Sequence, residues 1–164
     1  MIYKFKEFKD EPLLINHLNM GGKNPKGKEI NVTSRYFTRN GKPWIGVMGE
    51  FHFSRYGREN WHRELAKMKA GGITIVSTYL FWIYHEEIEG KMDFGGDNDI
   101  RAFIEECKDV GLDVVIRIGP WAHGECRNGG FPDWLLKKDY KLRDNNEEYL
   151  AVVKKWYQSI YNEV

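Results

Sequence analysis

The stretch Val114–Gly130, VVIRIGPWAHGECRNGG, opens as a buried strand and ends as a loop crowded with reactive side chains. Its first half, Val114 to Ile118, is apolar and β-branched apart from Arg117. Its second half carries Trp121, His123, Glu125, Cys126 and Arg127 between glycines. Upstream, Ile100, Phe103, Ile104, Cys107 and Val110 recur at steps of three and four, the period of one helical face. Asp97 or Asn98 is placed to cap that helix, and Gly111 ends it. Before it lies a loop, FWIYHEEIEGKMDFGGD, and before that a second β-branched strand, ITIVSTYL, Ile73 to Leu80. Trp61, Leu65 and Met68 mark a helix over about Arg58–Ala70, stopped by Gly71-Gly72. Further upstream an apolar strand runs from Trp44 to Met48. It returns from a strand over Val32–Phe37 through Asn40-Gly41, a hairpin turn signal.

The order is strand, helix, strand, helix, strand. Near-continuous apolar strands separated by amphipathic helices predict a parallel sheet with crossover helices, an α/β fold. Downstream, FPDWLLKK reads as a short helix. Asp144 or Asn145 caps a last helix with Tyr149, Leu150, Val153, Trp156, Tyr157 and Ile160 on one side. Residues 1–34 read as an irregular lead-in, with Met20–Lys28 a loop, and residues 35–164 as the α/β part. Three βα units are too few to close a barrel, which takes eight. The expectation is a barrel cut short before strand four, self-associating through its exposed edges.

Basic and acidic residues nearly cancel over the 164 residues, 25 against 24, a formal net charge of +1. A nucleic-acid partner is not expected, since it calls for a basic excess on one face. No apolar run approaches the ~20 residues of a membrane span, so no membrane partner is expected either. Two cysteines, Cys107 on a helix face and Cys126 in the loop, make neither a disulfide framework nor a metal spacing. Met1–Asp10 does not read as a signal peptide. The expected compartment is cytoplasmic, or secreted or periplasmic where a signal has been removed.

In parallel α/β architectures ligands bind outside the carboxyl ends of the strands. Those ends carry Glu50, His52 and Arg55; then Ser77, Tyr79, Trp82 and His85; then Trp121, His123, Glu125, Cys126 and Arg127. Plainer readings stand beside this. Glu86 and Glu87 read as solvent charges, and Gly129-Gly130 as a tight turn. Arg117, inside a strand, needs a partner, and Glu50 is placed to be one. The loop GECRNGG lacks the lysine and spacing of a phosphate loop. His52, His85 and His123 with Glu50, Glu125 and Cys126 leave a metal-dependent hydrolase as one alternative, although no His-x-His or His-Glu-x-x-His spacing occurs. A non-catalytic carbohydrate-binding or assembly module is the other.

The motifs GEFHFSR, STYLFWIYHEE, GKMDFGGDNDI and IRIGPWAHGECRNGGFPDWLL occur in this order from about Arg35 to Val164. Together they resemble the first part of a family 35 glycoside hydrolase, the beta-galactosidase group. The resemblance implies a (β/α)8 barrel, here its first three βα units after a short β-hairpin. It implies hydrolysis of terminal non-reducing β-D-galactosyl residues with retention and without a metal or organic cofactor. The partner would be a terminal β-galactoside of an oligo- or polysaccharide. Retention calls for two glutamates ~5–5.5 Å apart, an acid/base and a nucleophile. In the family these follow strands four and seven, the first in a Gln-x-Glu-Asn-Glu motif, and no such motif occurs here. The resemblance therefore implies no catalytic residue within this chain and a 164-residue chain inactive by itself. It implies sugar contacts at Tyr79, Gly124 and Glu125. Glu50 and His52, by their strand-end position, are further candidates for the pocket, and Trp82 and Trp121 either shape it or simply pack. The family often has alanine at the place of Gly124, glutamate at Ser77 and serine at Glu50. Those departures put the sugar itself in question, with glucosaminide or fucoside beside galactoside.

Overall fold

The computed structural model describes residues 11–164. The part of the expected irregular lead-in that covers residues 1–10 lies outside them. The chain divides into two compact units, Met1–Gly46 and Val47–Val164.

In the first unit four short antiparallel strands lie in chain order: β1 (Gly21–Lys23), β2 (Glu29–Val32), β3 (Phe37–Arg39) and β4 (Lys42–Trp44). Asn40-Gly41 turns β3 into β4 with φ of 52° and 75°, the positive pair that a two-residue hairpin turn needs. Two expectations are corrected. The loop expected over Met20–Lys28 contains β1 and turns back into β2, because the Asn24 side chain accepts from the backbone N–H of Lys26 and Lys28, each at 3.0 Å. The strand expected over Val32–Phe37 breaks in the middle. The Thr33 hydroxyl oxygen accepts from Tyr36 N–H at 2.9 Å, forming a local turn.

The second unit carries a three-stranded parallel sheet of β5 (Met48–Glu50), β6 (Ile75–Tyr79) and β7 (Asp113–Arg117), in that spatial order. The apolar run Trp44–Met48 is therefore not one strand. β4 ends at Trp44 and β5 begins at Met48, in separate sheets. The crossovers are α1 (Trp61–Ala70) between β5 and β6, and α2 (Trp82–His85) with α3 (Ile100–Val110) between β6 and β7. After β7 come α4 (Asp133–Leu136) and α5 (Glu147–Glu163). The segment Trp82–His85, read from sequence as loop, makes one helical turn. Four residues are too few for a periodic pattern to declare itself.

The caps sit one or two residues beyond those expected. Asp99 accepts from Ala102 N–H at 2.9 Å at the start of α3, and Asn146 accepts from Tyr149 N–H at 3.0 Å at the start of α5. The core is aromatic. Phe53, Trp61 and Phe103 pack with centroids 5.0–5.7 Å apart, and Leu65 and Cys107 complete that layer. Burial pushes the Cys107 thiol up to about 12, so it behaves as a small apolar side chain. From α5, Tyr149, Val153, Trp156 and Ile160 are buried as expected, whereas Leu150 is 46% exposed. No helix among the described residues is long and apolar enough to cross a membrane.

Candidate functional site

Side chains alternate along a strand, so Glu50, Ser77 and Tyr79, and Val115 and Arg117, point to one face of the parallel sheet. Register sets Glu50 beside Ser77 and Tyr79 beside Arg117. The carboxyl ends of all three strands therefore meet at one place.

Tyr79 is the centre of that place and is 9% exposed. The Arg117 guanidinium lies 3.6 Å from the centroid of its ring. Arg117 in turn donates to Glu50, the partner its position inside a strand demanded. His52 closes the other side. Its Nδ1 accepts from Tyr79 N–H at 3.4 Å, and its Nε2 lies 3.6 Å from a Glu50 carboxylate oxygen. Burial lowers the His52 pKa below the usual imidazole value. Glu50 opposes that effect, and Arg55 and Arg117 add to it. With Nδ1 accepting, the neutral ring carries its proton on Nε2, facing Glu50.

The loop after β7 reaches the same place. A Cβ on Gly124 would lie 2.8 Å from two ring carbons of Phe81 and 3.6 Å from the ring of Tyr79. The backbone here approaches aromatic rings more closely than alanine allows. The next residue, Glu125, is exposed and has φ of +50°, a left-handed backbone unusual for glutamate. Its carboxylate takes no hydrogen bond or ion pair from the described residues. Non-glycine residues held at positive φ cluster at ligand-binding positions. Phe81 carries Arg55 4.4 Å above its ring and His52 edge-on at 5.1 Å. Sequence reading missed Phe81 because an apolar residue after a strand gives no chemical signal. It also took Arg117 only as a residue in need of a partner.

Trp82 is corrected out of the site. It is 1% exposed, its ring stacks on Trp156 at 5.6 Å and 9°, and its indole N–H donates to Glu86 at 2.6 Å. A ring enclosed in this way has no face left for a ligand. Glu86 is likewise not a solvent charge. It is buried and accepts from both Trp82 and the backbone N–H of Gly90 at 2.8 Å. Trp121 is half-buried, with Phe131 at 5.6 Å and the Arg143 guanidinium 4.6 Å from its ring centroid. Gly129, read as a turn residue, has a second duty. Its φ is +62°, and a Cβ there would come within 2.0 Å of the Trp121 ring. Gly129→Ala should therefore cost about 2 kcal/mol in urea unfolding, from overpacking and a disfavoured φ together. A loss under about 0.5 kcal/mol would mean that Trp121 moves aside freely.

His85 does not join His52 and His123. It is fully buried, donates from Nδ1 to the Asp93 carbonyl at 2.9 Å and packs against Phe94, while His123 is exposed. The metal-site reading needed all three to converge. Among the described residues no three His, Cys, Asp or Glu side chains are grouped as metal ligands. A cleft of about 570 Å³ is lined by Ser54, Ile83, Tyr84, Cys126 and Arg127 among others, and by none of Glu50, His52, Tyr79, Arg117, Gly124 and Glu125.

With this geometry in hand, comparison with known proteins decides the family. The sequence profile of Glycosyl hydrolases family 35 matches residues 36–164. The chain belongs to that family. Among the curated relatives of this family 35 chain is the Beta-galactosidase of Bos taurus, 38% identical over 129 residues, which are 78% of this chain and 20% of that protein. The Beta-galactosidase of Homo sapiens is 37% identical over 129 residues, 78% of this chain and 19% of that protein. A bacterial Beta-galactosidase, from Xanthomonas manihotis, is 37% identical over 129 residues, 78% of this chain and 22% of that protein. The family 35 chain thus spans about a fifth of the length of the curated relatives it matches.

Proposed function

We propose that this chain forms the sugar-holding side of a (β/α)8 barrel in a retaining β-galactosidase, with β5, β6 and β7 as the first three barrel strands. The single observation that supports the reading is the close approach of the Gly124 backbone to the Tyr79 ring at the carboxyl end of a parallel sheet, with Glu125 the next residue in the chain. Membership of family 35 and relatives named Beta-galactosidase support galactose as the sugar. Glu125, with two acceptor oxygens, takes neighbouring hydroxyls of the ring. The backbone N–H of Gly124 and the Tyr79 hydroxyl fix its orientation. The acid/base and nucleophile glutamates stand on later strands, outside these residues, so this chain binds and orients while the chemistry comes from elsewhere.

Titration calorimetry of the 164-residue chain with methyl β-D-galactoside tests this. Binding is expected for the wild type. Glu125→Gln should weaken it roughly ten- to hundredfold, the worth of hydrogen bonds to a charged group. A chromogenic β-galactoside should show no turnover. Equal affinity for wild type and Glu125→Gln would remove Glu125 from the sugar site. Turnover would refute the placement of the catalytic pair outside this chain.

A further inference from the structure

The cluster on the sheet face beneath Tyr79 contains more charge than packing requires. Glu50 and Arg117 stand on the two outer strands, with β6 between them, yet they are joined by a hydrogen bond. That bond crosses over buried Ser77 and holds the guanidinium 3.6 Å from the Tyr79 ring centroid. Arg117 Nε is buried and has no hydrogen-bond partner. Among the described residues its side chain donates to Glu50, and its guanidinium lies against the ring. On the far side His52 accepts from the backbone N–H of Tyr79 and faces Glu50 with its other nitrogen.

We propose that Arg117 is a positioning residue for Tyr79, and that Glu50, assisted by His52, is the anchor that keeps Arg117 over the ring. The reasoning is geometric. A phenol on a strand end can pivot about its χ angles, and a sugar contact needs its hydroxyl fixed. A planar cation lying on the ring restricts that pivot, and a flat guanidinium does so where an ammonium does not. The anchor must come from β5 because the intervening residue on β6, Ser77, is too short to reach Arg117 as a counter-charge. Register makes Glu50 and Ser77 direct neighbours. It follows that the same carboxylate would serve from β6, provided the serine moved to β5.

This inference rests on the sugar-binding reading only for its purpose, and its test separates the two. The probes are the ring signals of Tyr79 in a tyrosine-labelled chain, read by NMR without ligand, and the affinity for methyl β-D-galactoside. Glu50→Gln and Arg117→Lys should each shift the Tyr79 ring signals and weaken binding about tenfold. The double exchange Glu50→Ser with Ser77→Glu should restore both, which a merely structural loss of charge would not do. Thermal melting is read for every variant. Arg117→Lys keeps the charge and should melt within a few degrees of wild type, so its arm stands even where Glu50→Gln unfolds. Ring signals unchanged in the folded Arg117→Lys chain would overturn the proposal, as would a folded double exchange that leaves them shifted. Failure of the wild type to bind methyl β-D-galactoside would overturn the sugar reading alone, because the ring signals still decide the positioning role.

Discussion

Trp156→Ala is expected to lower the unfolding free energy by about 3–5 kcal/mol, the range for removing a large buried aromatic. The tryptophan is fully buried on α5. It stacks on Trp82 at 5.6 Å and on Phe94 at 6.4 Å, both within 9° of parallel. Its indole N–H donates to the Ile118 carbonyl at 2.9 Å, and the neighbouring Tyr157 hydroxyl donates to the Gly119 carbonyl at 3.0 Å. Those carbonyls begin the loop that carries Gly124 and Glu125. The substitution therefore removes core and loosens the lead into the candidate site together. Trp156→Phe separates the two effects. It keeps most of the apolar contact and leaves the Ile118 carbonyl unpaired, a loss of about 1–2 kcal/mol. Urea unfolding with near-ultraviolet circular dichroism measures both. A loss below about 1 kcal/mol for Trp156→Ala would mean that the stacked layer does not hold this unit together.

The second large effect is loss of stability in acid through His85. Burial, the largest cause, lowers its pKa from 6.5 to about 4, with its hydrogen bond to the Asp93 carbonyl opposing the change. Its Nε2 is buried and has no partner, so a second proton there would be an uncompensated charge. Between those two values the unfolded chain binds more protons than the folded one, and stability falls as pH falls. The contribution is complete above about pH 6.5 and has been lost by about pH 4. Its size is roughly 3 kcal/mol. His85→Gln keeps an N–H for the Asp93 carbonyl and cannot take a proton in this range. Its unfolding free energy, measured from pH 7 down to pH 4, should decline less steeply than that of the wild type by this amount. Parallel pH profiles for the two would show that His85 is not buried neutral.

Much of this architecture was legible in the residues. The order of strands and helices in the second unit follows from periodicity, which is local and carried by many residues at once. Asn40-Gly41 announced its turn through backbone preference, again a local property. An arginine inside a strand called for a carboxylate, and Glu50 supplied it. The placement of polar side chains at three strand ends followed from strand order alone.

The misreadings share one cause. Trp82 and His85 stand after a strand end and carry polar or aromatic groups, so by position they looked like a site. The structure turns both inward because α5, about seventy residues further on, lays Trp156 against Trp82 and His85. Gly129 looked like a turn residue because the indole that excludes a side chain there, Trp121, is eight positions away in the chain and touching in space.

By itself the sequence determined the order of strands and helices in the second unit, where the hairpin turns, and which strand ends carry polar side chains. Each of these depends on spacing along the chain and on backbone preference. Only the tertiary structure decided which of those side chains face a common rim and which are buried as core. It also decided that Arg117 lies over Tyr79 under the hold of Glu50. Burial and pairing depend on what packs from distant parts of the chain, and a linear pattern does not contain that distance.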